Sequence, residues 1–140
     1  MTAPATGCDR VARRLADDLI TFLETGRSPD GLWSPNVFCD FSMPVWRLQA
    51  EGVVAAEQLR RQGHPGSSRV LRARFDPIPT GFVLEVEEQW DDADETWYCR
   101  EFFRADIADG SISALSIYCT GDWDSAQVRR HAESTPLIRR

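Results

Sequence analysis

Two glutamates stand where their strands reserve an apolar side chain. Phe82, Leu84, Val86 and Trp90 recur at even spacing, and Glu88 fills the gap before Trp90. Trp97, Cys99, Phe103 and Ala105 repeat the pattern, with Glu101 in the gap. Side chains alternate faces along a strand, so period two points both carboxylates to the apolar side. A register that sets Trp90 opposite Trp97 across the turn near Ala93 puts Glu88 opposite Cys99 and Glu101 opposite Val86. The two acids are then diagonal neighbours, about 7 Å apart or somewhat less. Burial raises a carboxyl pKa, and a second carboxylate nearby raises at least one further. Such a group can give or take a proton near neutral pH. A β-bulge that turns Glu88 outward, or an arginine partner that neutralises the pair, would remove that chemistry.

Other side chains carry less signal alone. Asp40 lies in the apolar segment Val37–Phe41, where a turn-capping role is the plain reading. Cys8, Cys39, Cys99 and Cys119 are widely spaced with no C-x-x-C pair, which reads as buried free thiols. His64 and His131 are far apart and form no ligand spacing, so no metal is expected. His131, among Arg129, Arg130 and Glu133, reads as solvated. Asp124 reads as a helix cap and Asp122 has no assigned role. Trp46 and Trp90 fit either a core or a pocket wall. No glycine pattern of a phosphate-cradling loop occurs, and no cofactor is expected.

The elements that must position these residues follow from periodicity. Ala12, Leu15, Leu19, Phe22 and Leu23 lie on one face of a helix over about Val11–Glu24, with Asp9 able to cap it and Gly26 to end it. A second helix spans about Val53–Gln62 and stops at Gly63-His64-Pro65-Gly66. Four runs of period two follow, around Leu71–Asp76, Phe82–Trp90, Trp97–Ile107 and Leu115–Cys119. Turns at Pro77–Gly81, Asp91–Glu95 and Asp109-Gly110 separate them, which predicts an antiparallel meander. Its apolar face needs a cover, and the N-terminal helices are available. Asp124 and Gln127 have capping-box spacing for a last short helix.

The chain of 140 residues has room for one domain, with tails at 1–8 and 134–140. Its 16 basic residues are all arginine and face 22 acidic ones, a formal charge of −6. That balance argues against nucleic acid and anionic membranes as partners. No apolar run exceeds four residues, and Met1–Gly7 lacks the pattern of a signal peptide, so a cytoplasmic protein is expected.

The order of elements resembles the nuclear transport factor two-like superfamily, in particular its SnoaL-like branch of polyketide cyclases. A long helix leads to an apolar segment ending in Asp40. A short helix follows Gly52, and then a meander with Asp109-Gly110-Ser111-Ile112 before its last strand. The closing Tyr118-Cys119-Thr120-Gly121-Asp122-Trp123-Asp124 is similar to a run in actinobacterial members. The resemblance covers about Val11–Trp123. It implies an α+β fold in which a curved antiparallel sheet and N-terminal helices enclose a cone-shaped pocket, and a homodimer formed through the outer face of the sheet.

By position, the resemblance places Asp40 where ketosteroid isomerases carry their base and Glu101 near their protonated donor. It assigns Phe82, Leu84, Val86, Glu88, Leu115, Ile117 and Cys119 to the pocket wall. Trp46, Trp90, Cys99 and Phe103 complete the expected substrate-binding set. No tyrosine stands at the oxyanion position, and Glu88 replaces a large apolar residue. The expected function is a cofactor-free cyclase, isomerase or epoxide hydrolase acting on a hydrophobic small molecule in specialised metabolism. Asp40, Glu88 and Glu101 would be its catalytic residues. The alternatives are a ligand-binding or dimerisation module, or a cone filled by its own side chains.

Overall fold

The computed structural model describes residues 6–139, so parts of both expected tails lie outside the described residues. The first helix, α1 (Gly7–Thr25), begins earlier than periodicity suggests because Thr6, not Asp9, is its N-cap. Thr6 Oγ1 accepts from the Asp9 backbone N–H at 3.0 Å, and Asp9 answers by accepting from the Thr6 N–H at 3.3 Å. This reciprocal box satisfies two of the unpaired donors of a helix start. Gly26 ends the helix at φ 73°, a left-handed conformation that glycine adopts without a Cβ clash. The stripe Ala12, Leu15, Ala16, Leu19, Phe22 and Leu23 is buried.

Two strands follow that alternation does not reveal, β1 (Trp33–Met43) and β2 (Trp46–Glu51). Pro35 interrupts the first, and apolar side chains lie on both its faces, with Val37 and Cys39 buried and Phe38 exposed. The helix α2 (Val53–Gly63) then leads to β3 (Arg69–Ile78), β4 (Gly81–Asp92), β5 (Glu95–Ala108) and β6 (Ser111–Cys119). A last helix, α3 (Ser125–Ser134), is capped by Asp124, which accepts from the Gln127 N–H at 2.8 Å.

The six strands form one sheet in the order β2-β1-β6-β5-β4-β3. The expected meander is its β3–β6 part. The sheet is mixed rather than wholly antiparallel, because β1 pairs in parallel with β6. The chain reaches the far edge of the sheet through α2, and a parallel neighbour needs such a crossover. Register shifts within β1 and β3, and at Ser113 of β6 where it pairs with β5, mark the irregularities at which a sheet bends.

The hairpin between β4 and β5 has the expected register, with Trp90 opposite Trp97, Glu88 opposite Cys99 and Val86 opposite Glu101. Its first residue is pinned sterically. A Cβ on Gly81 would stand 2.0 Å from the Ala105 carbonyl oxygen. The inward faces of β4 and β5 pack with α1 and β1 in a single core that contains Phe82, Leu84, Phe103 and Ala105. Among the described residues, no helix is long and apolar enough to cross a membrane.

Candidate functional site

The inner face of α2 positions the polar end of this core. Ala56, Arg60 and His64 follow one another at helical spacing, so an alanine, a guanidinium and an imidazole point inward in succession. The backbone N–H of His64 closes the last turn on Arg60 O at 2.9 Å, which places the ring just beyond the helix end. There it stacks on Trp90, with ring centroids 3.9 Å apart and planes 26° from parallel.

Both glutamates point inward, as period two requires. Glu88 is fully buried and Glu101 nearly so. No bulge turns Glu88 out. Arg60 meets it instead, donating from one terminal nitrogen at 2.5 Å and from the other at 3.1 Å. Ser68 Oγ donates to the same carboxylate at 2.7 Å. Arg60 also donates to the Leu23 carbonyl oxygen at 2.7 Å, and so ties the end of α1 to the pair. Glu101 Oε1 lies 3.9 Å from Arg60 and accepts from the Cys99 thiol at 3.5 Å.

The two carboxyls therefore divide one proton unequally. Burial pushes Glu88 up, but the hydrogen bond from Glu101 together with the charge and fork of Arg60 outweighs it and brings the pKa down to about 2. Glu101 goes the other way. Burial, then the Glu88 charge, then the hydrogen bond to Glu88 raise its pKa well above the ordinary carboxylate range, and Arg60 only partly opposes them. Glu101 is thus a neutral acid beside an ionised Glu88.

His64 completes the cluster. Its Nδ1 is buried without a hydrogen-bond partner among the described residues, 3.9 Å from Glu88 Oε2. Its Nε2 lies 3.6 Å from Asp122 Oδ1. The ring, Glu101 and Arg60 border an apolar cavity of about 50 Å3, walled by Phe22, Trp33, Phe41 and Phe103. Ligand sites for drug-sized molecules span ~300–1,000 Å3. This cavity admits a small molecule, or the small reacting end of a larger one.

Several expected site residues lie elsewhere. Asp40 does not line the cavity. Its neighbours Cys39 and Phe41 do, so alternation turns Asp40 to the outer face. There Arg47 grips it with two hydrogen bonds of 2.9 and 2.6 Å and holds its carboxyl below the usual range. Trp46 is exposed on the edge strand β2. Leu84 and Val86 are core residues away from the cavity wall. Trp90 serves as the platform under His64, and Glu88 lies behind Arg60 rather than on the wall. Cys99 is buried beneath the cluster, and Cys119 is half-buried with its sulfur accepting from the Gly121 N–H at 3.4 Å. Phe103, Leu115, Ile117 and Glu101 line the cavity. Arg60 and His64 were not anticipated. Their spacing of four from Ala56 was the available signal.

No protein-family model matches the sequence, and no curated protein matches it. Solved structures show the fold. An NTF2-like (nuclear transport factor two-like) protein from Anabaena variabilis superposes with a TM-score of 0.70 at 17% identity, over 87% of this chain and 96% of that one. A protein assigned as a SnoaL-like polyketide cyclase from Jannaschia superposes at 0.63 with 12% identity, over 97% and 100%. One assigned as a ketosteroid isomerase from Kribbella flavida does so at 0.57 with 19% identity, over 94% and 90%. The chain has the nuclear transport factor two-like α+β fold.

Two outcomes follow from the charge arrangement. Glu88→Gln leaves a buried guanidinium without its anion and should cost about 3–5 kcal/mol in urea unfolding. A double replacement, Arg60→Met with Glu88→Leu, should cost less than the two single changes together. A loss under about 1 kcal/mol for Glu88→Gln would show that the pair does not anchor the site. Glu101 has the opposite linkage sign to Glu88. Its folded pKa is raised, so above about pH 4.3 the unfolded chain releases a proton that the fold retains, and stability falls as pH rises. The neutral isostere Glu101→Gln should therefore raise Tm at pH 7, by a margin that vanishes towards about pH 4. A margin independent of pH would mean that Glu101 is ionised in the fold.

Proposed function

We propose that the protein is a cofactor-free acid–base enzyme that moves a proton on a small apolar carbonyl compound, as an isomerase or aldol-type cyclase would. One observation carries this reading. A carboxylic acid with a raised pKa and a histidine whose Nδ1 has no hydrogen-bond partner among the described residues both line the polar end of one apolar cavity. Imidazole is the side chain suited to proton transfer near neutrality, and a buried neutral acid can donate to an oxygen as negative charge develops there.

In this reading His64 Nδ1 removes a proton α to the carbonyl. Glu101 turns its O–H from Glu88 to the carbonyl oxygen and stabilises the enolate or becomes its proton source. The imidazolium so formed stands between Glu88 and Asp122, at 3.9 and 3.6 Å. Arg60 holds Glu88 ionised throughout. The apolar wall excludes water and selects an apolar substrate. Asp40, expected as the base, has no part in this scheme.

A binding module is the second reading, favoured by the small volume of the cavity. One experiment separates the two. Small cyclic and aromatic ketones are incubated with the protein in D2O, and exchange of their α-protons is followed by NMR. The enzyme reading expects exchange above the buffer rate, reduced at least ~100-fold by His64→Gln. Exchange that survives His64→Gln would remove His64 as the base. Tryptophan quenching by a ketone without exchange would favour the binding module.

A further inference from the structure

His64, Cys99 and Asp122 belong to three separate parts of the chain: the end of α2, the inner face of β5 and the segment after β6. One ligand atom from each nevertheless lies within 4.8 Å of the others. His64 Nε2 and Asp122 Oδ1 are 3.6 Å apart, wider than a hydrogen bond. Two such ligands at 2.0–2.1 Å from a tetrahedral zinc stand about 3.3 Å apart. The nitrogen and the oxygen thus need only a few tenths of an ångström of movement to share an ion.

The surroundings fit as well. A metal-bound histidine usually donates its second N–H to a carboxylate, and this outer contact fixes the ring. The buried, unpartnered Nδ1 of His64 faces Glu88 at 3.9 Å, and Arg60 and Ser68 already hold that carboxylate in place. Charge balances too. Glu88 and Arg60 neutralise each other, and a Cys99 thiolate with Asp122 would cancel a dication. The exposure of Asp122, 43% at its side chain, gives an ion a path from solvent. The neighbouring group His64, Glu88 and Glu101 also has suitable spacing, but the Arg60 guanidinium already sits on both of its carboxyls and would repel a cation.

We infer that His64 Nε2, Cys99 Sγ and Asp122 Oδ1 form a binding site for a zinc-class divalent cation, with solvent at the fourth position. One nitrogen, one sulfur and one oxygen favour Zn2+ or Co2+ over Mg2+ or Ca2+, which prefer oxygen alone. Binding displaces the Cys99 proton. It also leaves the remaining imidazole proton on Nδ1, so the loaded protein cannot use that nitrogen as a base. This last consequence rests on the proposed proton transfer; the metal site itself does not.

The test uses the full chain, freed of metal by a chelator and titrated with Co2+ without substrate. One cobalt per chain should bind, with a near-ultraviolet sulfur-to-cobalt charge-transfer band that Zn2+ abolishes. Cys99→Ser should remove the band, whereas Cys8→Ser, at an exposed cysteine on α1, should leave it intact. Asp122→Asn, a surface change that leaves the core untouched, should weaken binding at least ~tenfold. No band in the unaltered protein, a band that survives Cys99→Ser, or unchanged affinity in Asp122→Asn would each overturn the site. The ketone exchange experiment is run with chelator present, so either reading can fail without the other.

Discussion

The buried ion pair of Arg60 and Glu88 is the constraint on which the rest of the site depends. A guanidinium with its side chain 10% exposed and a carboxylate with none face each other at the end of an otherwise apolar core. Taking both charges out of water is costly, and the attraction repays it only with good geometry and further hydrogen bonds. The fold supplies these from four directions. The guanidinium reaches the Leu23 carbonyl at the end of α1 from its own place on α2, and Ser68 before β3 completes the contacts of the β4 carboxylate. A shift of α2 along the sheet would break the Arg60 contacts to Leu23, Ser68 and Glu88 together. The pair therefore specifies where α2 sits, and with it where His64 stands.

The same pair sets the protonation of its neighbours. Because Arg60 keeps Glu88 ionised, Glu101 experiences a fixed negative charge in a place without solvent, and it keeps its proton. Two residues of one chemical type thus take different roles through their surroundings, one as a permanent anion and one as a neutral donor. His64 is held by stacking on Trp90 rather than by a hydrogen bond to Nδ1, and this leaves that nitrogen available. The geometry suits proton transfer to an apolar substrate and, on the other edge of the same ring, metal ligation.

Much of this was legible in the sequence wherever one period governed one face. The strand alternation gave the register of the hairpin and the inward direction of Glu88 and Glu101. The apolar stripe gave α1, although its true cap, Thr6, lies just beyond that stripe. The strands β1 and β2 were not legible. Pro35 and the two-sided apolar pattern around Phe38 obscure the alternation of the first, and the second is a short edge strand with few buried positions. That loss misdirected Asp40. Once Val37–Phe41 is a strand with Cys39 and Phe41 inward, Asp40 must face outward, to Arg47. Arg60 and His64 were overlooked for a different reason. Their spacing from Ala56 turns them inward, but their partners come from β4 and from beyond β6, and local spacing does not report which distant segments meet.

The central claim is that one buried acid is ionised and its neighbour is not. A side-chain carboxyl NMR titration, assigned for Glu88 and Glu101, tests it directly. Glu88 should stay ionised down to about pH 2, whereas Glu101 should hold its proton well above the ordinary carboxylate range. Both carboxyls titrating near about pH 4, as solvated glutamates do, would contradict it.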